Sequence, residues 1–325
     1  MSPHVSGPPG RVGVLGAGTM GTGIALAFAL AGSAVRLFGR REATRERARR
    51  QLDAGLDLLV AHGGLGREAA GAAGHRIALV ADADEAVDGA ALVAESVVED
   101  LAVKCELLAR AEQVTPADAI LTTNTSSLPL AALGDGLRDP SRFAALHWFN
   151  PPELIELVEI VAAPATAPAT LAQLEAWARA AGKTPVRLHR DVPGFVANRL
   201  QYALIREAYA LVEAGVCDRA AVDAAVTAGL GARWAAVGPF ESMDLAGLDV
   251  HLAVARRLFP LLAASPAPPP ALGAFVEAGD LGVETGRGLR GSYSPDDAAA
   301  LTRRRATTLL ALARLRAGSA PDDAG

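Results

Sequence analysis

Residues 12–21 read VGVLGAGTMG, and residues 21–31 continue as GTGIALAFALA. Val12 to Leu15 is a short apolar run of strand type. It leads into Gly16-Ala17-Gly18-Thr19-Met20-Gly21, the pattern GxGxxG, and an alanine-rich helical pattern follows from Thr22 to Ala31. The pattern alone is weak evidence; after a strand and before a helix it is much stronger. Each glycine then has a physical task. Gly16 makes the tight turn, Gly18 lets a pyrophosphate approach the backbone, and Gly21 allows the helix to pack closely on the strand. The unpaired N–H groups of the helix N-terminus, through Thr19 and Met20, face the phosphates. This stretch predicts an α/β fold opening with a Rossmann-type dinucleotide-binding domain.

Working outward, Ala34 to Phe38 reads as the second strand. In this kind of fold an acidic residue at its end binds the adenosine ribose hydroxyls. Here that position is Gly39, followed by Arg40 and Arg41. No carboxylate is present to repel a 2′-phosphate, and two guanidinium groups are available to bind one. A competing reading makes both arginines the solvated start of a helix that continues through Arg45, Arg47, Arg49 and Arg50. The first reading sets the expectation: NADP favoured over NAD.

Residues 42–73 read as a helical arm, two helices joined at Gly63-Gly64, where a larger substrate can rest. Ile77 to Val80 is a further strand. Ala90 to Ala94 is another, ending in Glu95-Ser96-Val97-Val98-Glu99-Asp100 with Lys104 in the next helix. Glu99 and Lys104 form either a surface contact or part of the ligand crevice that open α/β sheets carry at the carboxyl ends of their strands. Ala119 to Thr123 ends in Asn124-Thr125-Ser126-Ser127, a polar cluster at another strand end, in which Ser126 or Ser127 could equally cap the following helix.

Residues 142–160, RFAALHWFNPPELIELVEI, read as strand, bend, strand. Asn150-Pro151-Pro152 cannot continue a strand or a helix. His147 stands where the first strand stops and Glu159 within the second. A carboxylate in an apolar strand costs several kcal/mol without a partner. With the strands side by side, Glu159 can hold one ring nitrogen of His147 and leave the other to take a proton. The bland alternative is a buried histidine held by a backbone carbonyl and a glutamate on a solvated edge.

Thr184 to His189 reads as the last strand, and Asp191-Val192-Pro193-Gly194 as the boundary to a region of helices only. The organisation expected is a mobile tail over 1–10, the NAD(P)-binding domain over 11–190 with its arm, an all-α C-terminal domain over 191–316 for substrate binding and dimerisation, and an acidic tail over 317–325.

The 325 residues are 51% hydrophobic and 21% charged, which allows a sizeable core. A net charge of −5 with no basic block argues against nucleic acid as a partner. Cys105 and Cys217 lie far apart without a CxxC, so neither a disulfide framework nor a metal site is indicated. No signal-peptide core or membrane-spanning run is apparent, and the expected location is cytoplasmic. Lys104 and Lys183 are the only lysines, as if a compact ammonium were wanted at both places.

Taken together, GAGTMGTGIA, ESVVEDLAVK, NTSSL, HWFNPPELIELVEI, PGFVANRLQ, GPFESMDLAGLD and TGRG resemble the L-3-hydroxyacyl-CoA dehydrogenase family over about residues 11 to 315. The resemblance implies that His147 is the catalytic base and Glu159 its partner. It implies that Ser126 and Asn198 hold the substrate oxygen, and that Glu99 and Lys104, with Asn124 beside them, face the nicotinamide half of the cofactor. It also implies a homodimer and a 3-hydroxyacyl-CoA substrate of the 3-hydroxybutyryl type. The chain departs from the family pattern at Gly39, where an acid is usual, and at Leu289-Arg290, where an aromatic pair is common. The segment GFVANRLQYALIREAYALVEAGV is also similar to the lambda-crystallin and L-gulonate dehydrogenase branch, which implies a free 3-hydroxy acid as the alternative substrate. A non-catalytic crystallin-like or nucleotide-binding protein is the remaining alternative, against which the intact set Ser126, His147, Glu159 and Asn198 speaks.

Overall fold

The computed structural model of the protein describes residues 7–318; of the tails expected over 1–10 and 317–325, residues 1–6 and 319–325 lie outside the described residues. Within 7–10, read from sequence as part of a mobile tail, Pro9 is buried and Gly10 O accepts Ala34 N at 3.0 Å. The chain divides into two compact units. One runs to Phe195 and resumes at Ala306; the other is Val196–Arg305.

The first unit alternates strands and helices: β1 (Arg11–Leu15), α1 (Thr19–Leu30), β2 (Ala34–Phe38), α2 (Glu42–Ala61), α3 (Arg67–His75), β3 (Ile77–Val80), α4 (Ala83–Val87), β4 (Leu92–Glu95), α5 (Leu101–Val114), β5 (Ile120–Thr123), α6 (Leu130–Gly134), β6 (Phe143–Trp148), β7 (Leu157–Ala162), α7 (Pro168–Ala180) and β8 (Thr184–Leu188). One eight-stranded sheet forms in the order β3-β2-β1-β4-β5-β6-β7-β8. The first six strands in that order are parallel; β7 runs antiparallel to β6, and β8 parallel to β7. The strand order reverses between β1 and β4, and that reversal opens a crevice at the carboxyl ends of both strands.

Sequence patterning explains the layers. Every residue from Gly21 to Ala29 in α1 is buried, as expected of a helix apolar all round and packed beneath the sheet. On α2 only Ala48, Leu52, Leu56 and Leu59 are buried, one stripe at helical spacing. Burying Leu52 or Leu56 contributes about 1.5–3 kcal/mol each. β6 is buried at all six positions, as an interior strand must be. Pro185 is tolerated because β8 is an edge strand.

The second unit is mostly helical: α8 (Ala197–Glu213), α9 (Arg219–Ala225), α10 (Gly231–Ala236), α11 (Pro239–Ala246), α12 (Leu248–Leu258), α13 (Pro270–Glu277) and the start of α14 (Pro295–Gly318), but against the expectation of helices only it also holds a short antiparallel ladder of Arg287–Gly288 with Gly291–Ser292. Asp218 caps α9 by accepting Ala221 N at 2.8 Å. A π turn over Val226–Leu230 joins α9 to α10, so one helical run continues from Arg219 to Ala236. From Ala306 onward α14 packs within the first unit, inside the span read from sequence as the second domain. There Arg314 donates to His62 O at 2.6 Å, and Arg316 lies 3.1 Å from Glu156. The turn of the helical arm, read from sequence as a place for a larger substrate to rest, is thus touched by the chain's own last helix, although Gly63 and Gly64 remain exposed.

Candidate active site

A groove of ≈ 920 Å³ runs along the carboxyl ends of β1, β2, β4 and β5. Gly16, Gly18, Thr19 and Met20 form its centre, with Gly39, Arg40 and Arg41 on one side and Ser96, Glu99, Lys104 and Asn124 on the other. The glycines are required individually. Gly16 has φ +116°, and a Cβ there would lie 2.4 Å from Ser96 O. A Cβ on Gly21 would lie 1.8 Å from Gly16 O, so Gly21 sits against the turn rather than in the groove. A Cβ on Gly18 would meet no atom within 4 Å. That open space beside the N-terminus of α1 fits a diphosphate and would be narrowed by any side chain. The residues present therefore fit a dinucleotide.

At the β2 end, Gly39 is buried and Arg40 and Arg41 are exposed. Arg41 lines the groove and is also the N-cap of α2. Sequence reasoning passed over Arg45 as part of the helix surface. Its guanidinium donates to Gly39 O at 2.7 Å and Arg40 O at 3.2 Å, holding the turn at the end of β2.

At the other end Lys104 is not the surface residue that one reading made it. It is 1% exposed, and its chief partner is a residue that the sequence did not single out, Glu95. Glu99 lies 3.3 Å from the same ammonium. Burial pushes the Glu99 carboxyl up, but hydrogen bonds from Ser127 and Thr125 and the Lys104 charge outweigh it, leaving it below the usual range. The serine cluster is not a helix cap: α6 begins after Pro129 without a side-chain cap. Ser127 and Thr125 donate to Glu99 instead, and Ser126 O accepts Gly194 N at 2.9 Å. Asn124 Oδ1 accepts Trp148 N at 2.8 Å, which ties the end of β6 to the groove.

His147 lies inside β6 rather than at its end, and pairs in register with Glu159 on β7. The Nδ1–Oε2 distance is 2.9 Å, and both residues are buried. An ionised carboxylate only accepts, so Nδ1 carries the hydrogen and Nε2 is left as the basic nitrogen. Two rings stand edge to the imidazole, Phe149 at 4.6 Å and Phe195 at 5.4 Å between centroids. Phe195 holds φ 50°, a left-handed conformation unusual for a bulky side chain and found at functional sites. Neither ring was singled out from sequence; the PGF motif at 193–195 was the available signal. Lys183, buried, donates to Pro152 O at 2.6 Å and Ile155 O at 2.9 Å, and so fixes the bend that follows Phe149. Asn198 stands at the start of α8 in the second unit. Among the described residues no group of His, Cys, Asp or Glu could hold a metal ion, and no helix is long and apolar enough to cross a membrane.

Residues 11–192 match the 3-hydroxyacyl-CoA dehydrogenase NAD binding domain, and residues 194–291 match the C-terminal domain of the same family. The chain is 35% identical over 308 residues to 5-formyl-3-hydroxy-2-methylpyridine 4-carboxylate 5-dehydrogenase of Mesorhizobium japonicum, covering 95% of this chain and 98% of that one. It is 38% identical over 282 residues to 3-hydroxybutyryl-CoA dehydrogenase of Mycobacterium tuberculosis, covering 86% and 97%. A crystal structure described as a 5-dehydrogenase of the same pyridine carboxylic acid, an NAD+ dependent dismutase, superposes with a TM-score of 0.86 at 34% identity, over 95% of this chain and 99% of that one. The chain belongs to the 3-hydroxyacyl-CoA dehydrogenase family, and is an oxidoreductase acting on CH–OH groups with a nicotinamide cofactor.

Proposed function

We propose that the chain catalyses the reversible oxidation of a 3-hydroxyacyl-CoA, of the 3-hydroxybutyryl type, to the 3-ketoacyl-CoA. The observation that carries this reading is the buried His147–Glu159 pair at 2.9 Å, next in β6 to Trp148, whose N–H is held by the groove residue Asn124. The nicotinamide cofactor supplies the carbon that accepts the hydride. His147 Nε2 takes the hydroxyl proton, and Glu159 holds the ring's tautomer and stabilises the imidazolium. Ser126 and Asn198 keep the role implied by the family resemblance, as donors to the substrate oxygen. Steady-state assay of acetoacetyl-CoA reduction tests the proposal; folded protein without turnover on it overturns the thioester reading.

A second reading, a small free acid as substrate, is favoured by one finding. The pyridine carboxylate dehydrogenase matches along nearly the full length of both chains, and α14 lies beyond the residues matched by the family's two domains. The same assay run with free 3-hydroxybutyrate, L-gulonate and the pyridine carboxylate separates the two readings.

The cofactor proposed is NADP in preference to NAD, supported by Gly39, Arg40 and Arg41 along the groove. The assembly proposed is a homodimer. Helices α8 to α13 contain no buried residue, while Trp234, Phe240, Leu245 and Leu252 are exposed. A helical unit with so much uncovered apolar surface is completed by association.

A further inference from the structure

Glu95, the last residue of β4, is 0% exposed and does not line the groove. An ionised carboxylate is tolerated in such a place only when paired and fully hydrogen-bonded. Glu95 meets both conditions. Val97 N donates at 2.6 Å and Thr123 Oγ1 at 2.6 Å, and Lys104 Nζ reaches its two oxygens at 2.8 and 3.0 Å. Lys104 is equally buried, so each charge exists there because of the other. The ammonium also lies 3.3 Å from Glu99, whose side chain is 44% exposed on the groove wall and is held from its far side by Thr125 and Ser127. Two carboxylates and one ammonium leave this unit with a net charge of −1. It stands across the Gly16–Gly21 loop from the arginines at the β2 end.

We propose that Glu95 is a positioning residue which fixes Lys104 and Glu99 as one net-negative unit, and that this unit makes the groove favour the oxidised, cationic nicotinamide over the reduced, neutral one. The inference rests on the assignment of Glu99 and Lys104 to the nicotinamide half of the cofactor. The two cofactor forms differ by one positive charge on that ring. Contacts common to both forms cancel in the ratio of their dissociation constants, whereas a fixed charge nearby does not.

The test is the ratio Kd(reduced)/Kd(oxidised), measured by fluorescence titration of NADPH and NADH and by competition with NADP+ and NAD+. Glu95→Gln and Glu99→Gln each bring the unit to zero charge and are expected to lower the ratio roughly threefold to tenfold. The double variant Glu95→Gln/Lys104→Met returns the unit to −1 and is expected to fall within roughly twofold of wild type. A ratio unchanged in both single variants, with the two constants rising together, overturns the proposal and leaves Glu95 as packing only. A double variant with the ratio of the single ones overturns it too. If Glu95→Gln does not fold, Glu99→Gln and the double variant decide between the same outcomes. Folded wild-type protein that binds neither cofactor form removes the nicotinamide assignment, and this inference with it.

Discussion

His147 and Glu159 face each other directly across the antiparallel pair β6/β7, in register, with Nδ1 and Oε2 2.9 Å apart. Directly opposed residues on paired strands project to the same face of the sheet. His147, the proposed catalytic base, is thus oriented by sheet register, which is more rigid than a loop contact. His147→Ala is expected to lower kcat by roughly 10²–10⁴ and to leave the cofactor dissociation constant nearly unchanged. Glu159→Gln should lower kcat less. Steady-state kinetics with a parallel cofactor titration checks both, and wild-type turnover in the alanine variant would sink the assignment.

Lys183 predicts an unusual pH dependence of stability. Burial pushes its ammonium down to about 8, although Glu153 and Glu156 pull the other way. In the unfolded chain it titrates near the ordinary value of about 10.4. Between those values the unfolded chain binds more protons than the folded one, so this residue's contribution to stability rises with pH, and below pH 8 its burial cost is largest. The unfolding free energy of wild type relative to Lys183→Met should increase by roughly 1–3 kcal/mol from pH 7.5 to 10. Urea denaturation at several pH values measures it; a flat difference contradicts the assignment.

Cofactor choice should follow the end of β2. A charge-assisted bond from Arg40 or Arg41 to a 2′-phosphate contributes about 1.5–3 kcal/mol, or roughly tenfold or more in preference. The expected outcome is a higher kcat/KM with NADPH than with NADH, reduced in Arg40→Ala and Arg41→Ala. Gly39→Asp should shift the preference to NADH. Its Cβ would lie 2.9 Å from Arg45 Cγ and 3.0 Å from Ala17 Cβ, so the Arg45 side chain must give way. A clear NADH advantage in the wild type would show that both arginines serve only the start of α2.

Association should be visible at micromolar concentration. Sedimentation equilibrium is expected to show a dimer, and Phe240→Asp, at a position 80% exposed in the single chain, to weaken it if that surface is the interface. A wild-type protein that stays monomeric throughout this range would rule the homodimer out.

Much of this protein was legible in its sequence because the signals are local. Gly16, Gly18 and Gly21 are demanded by one turn and one helix start, and the turn can be recognised from six consecutive residues. A glutamate in the apolar run that forms β7 announces its need of a partner, and the only histidine in the preceding strand is the obvious candidate. Two lysines in an arginine-rich chain likewise stood out as places for a compact ammonium, and the structure buries both. Tertiary structure decided what depends on distant segments meeting. Glu95 looks like any acid at a strand end until Thr123, 28 residues on, and Lys104 close around it. The edge contacts of Phe149 and Phe195 on His147 require the bend after β6 and the left-handed turn at Phe195 to converge. The return of α14 to the helical arm joins Arg314 to His62 across 252 residues. Periodicity foretells a helix there but not the surface that receives it, because burial of an apolar face is satisfied by any complementary surface, and only the folded chain determines which one is within reach.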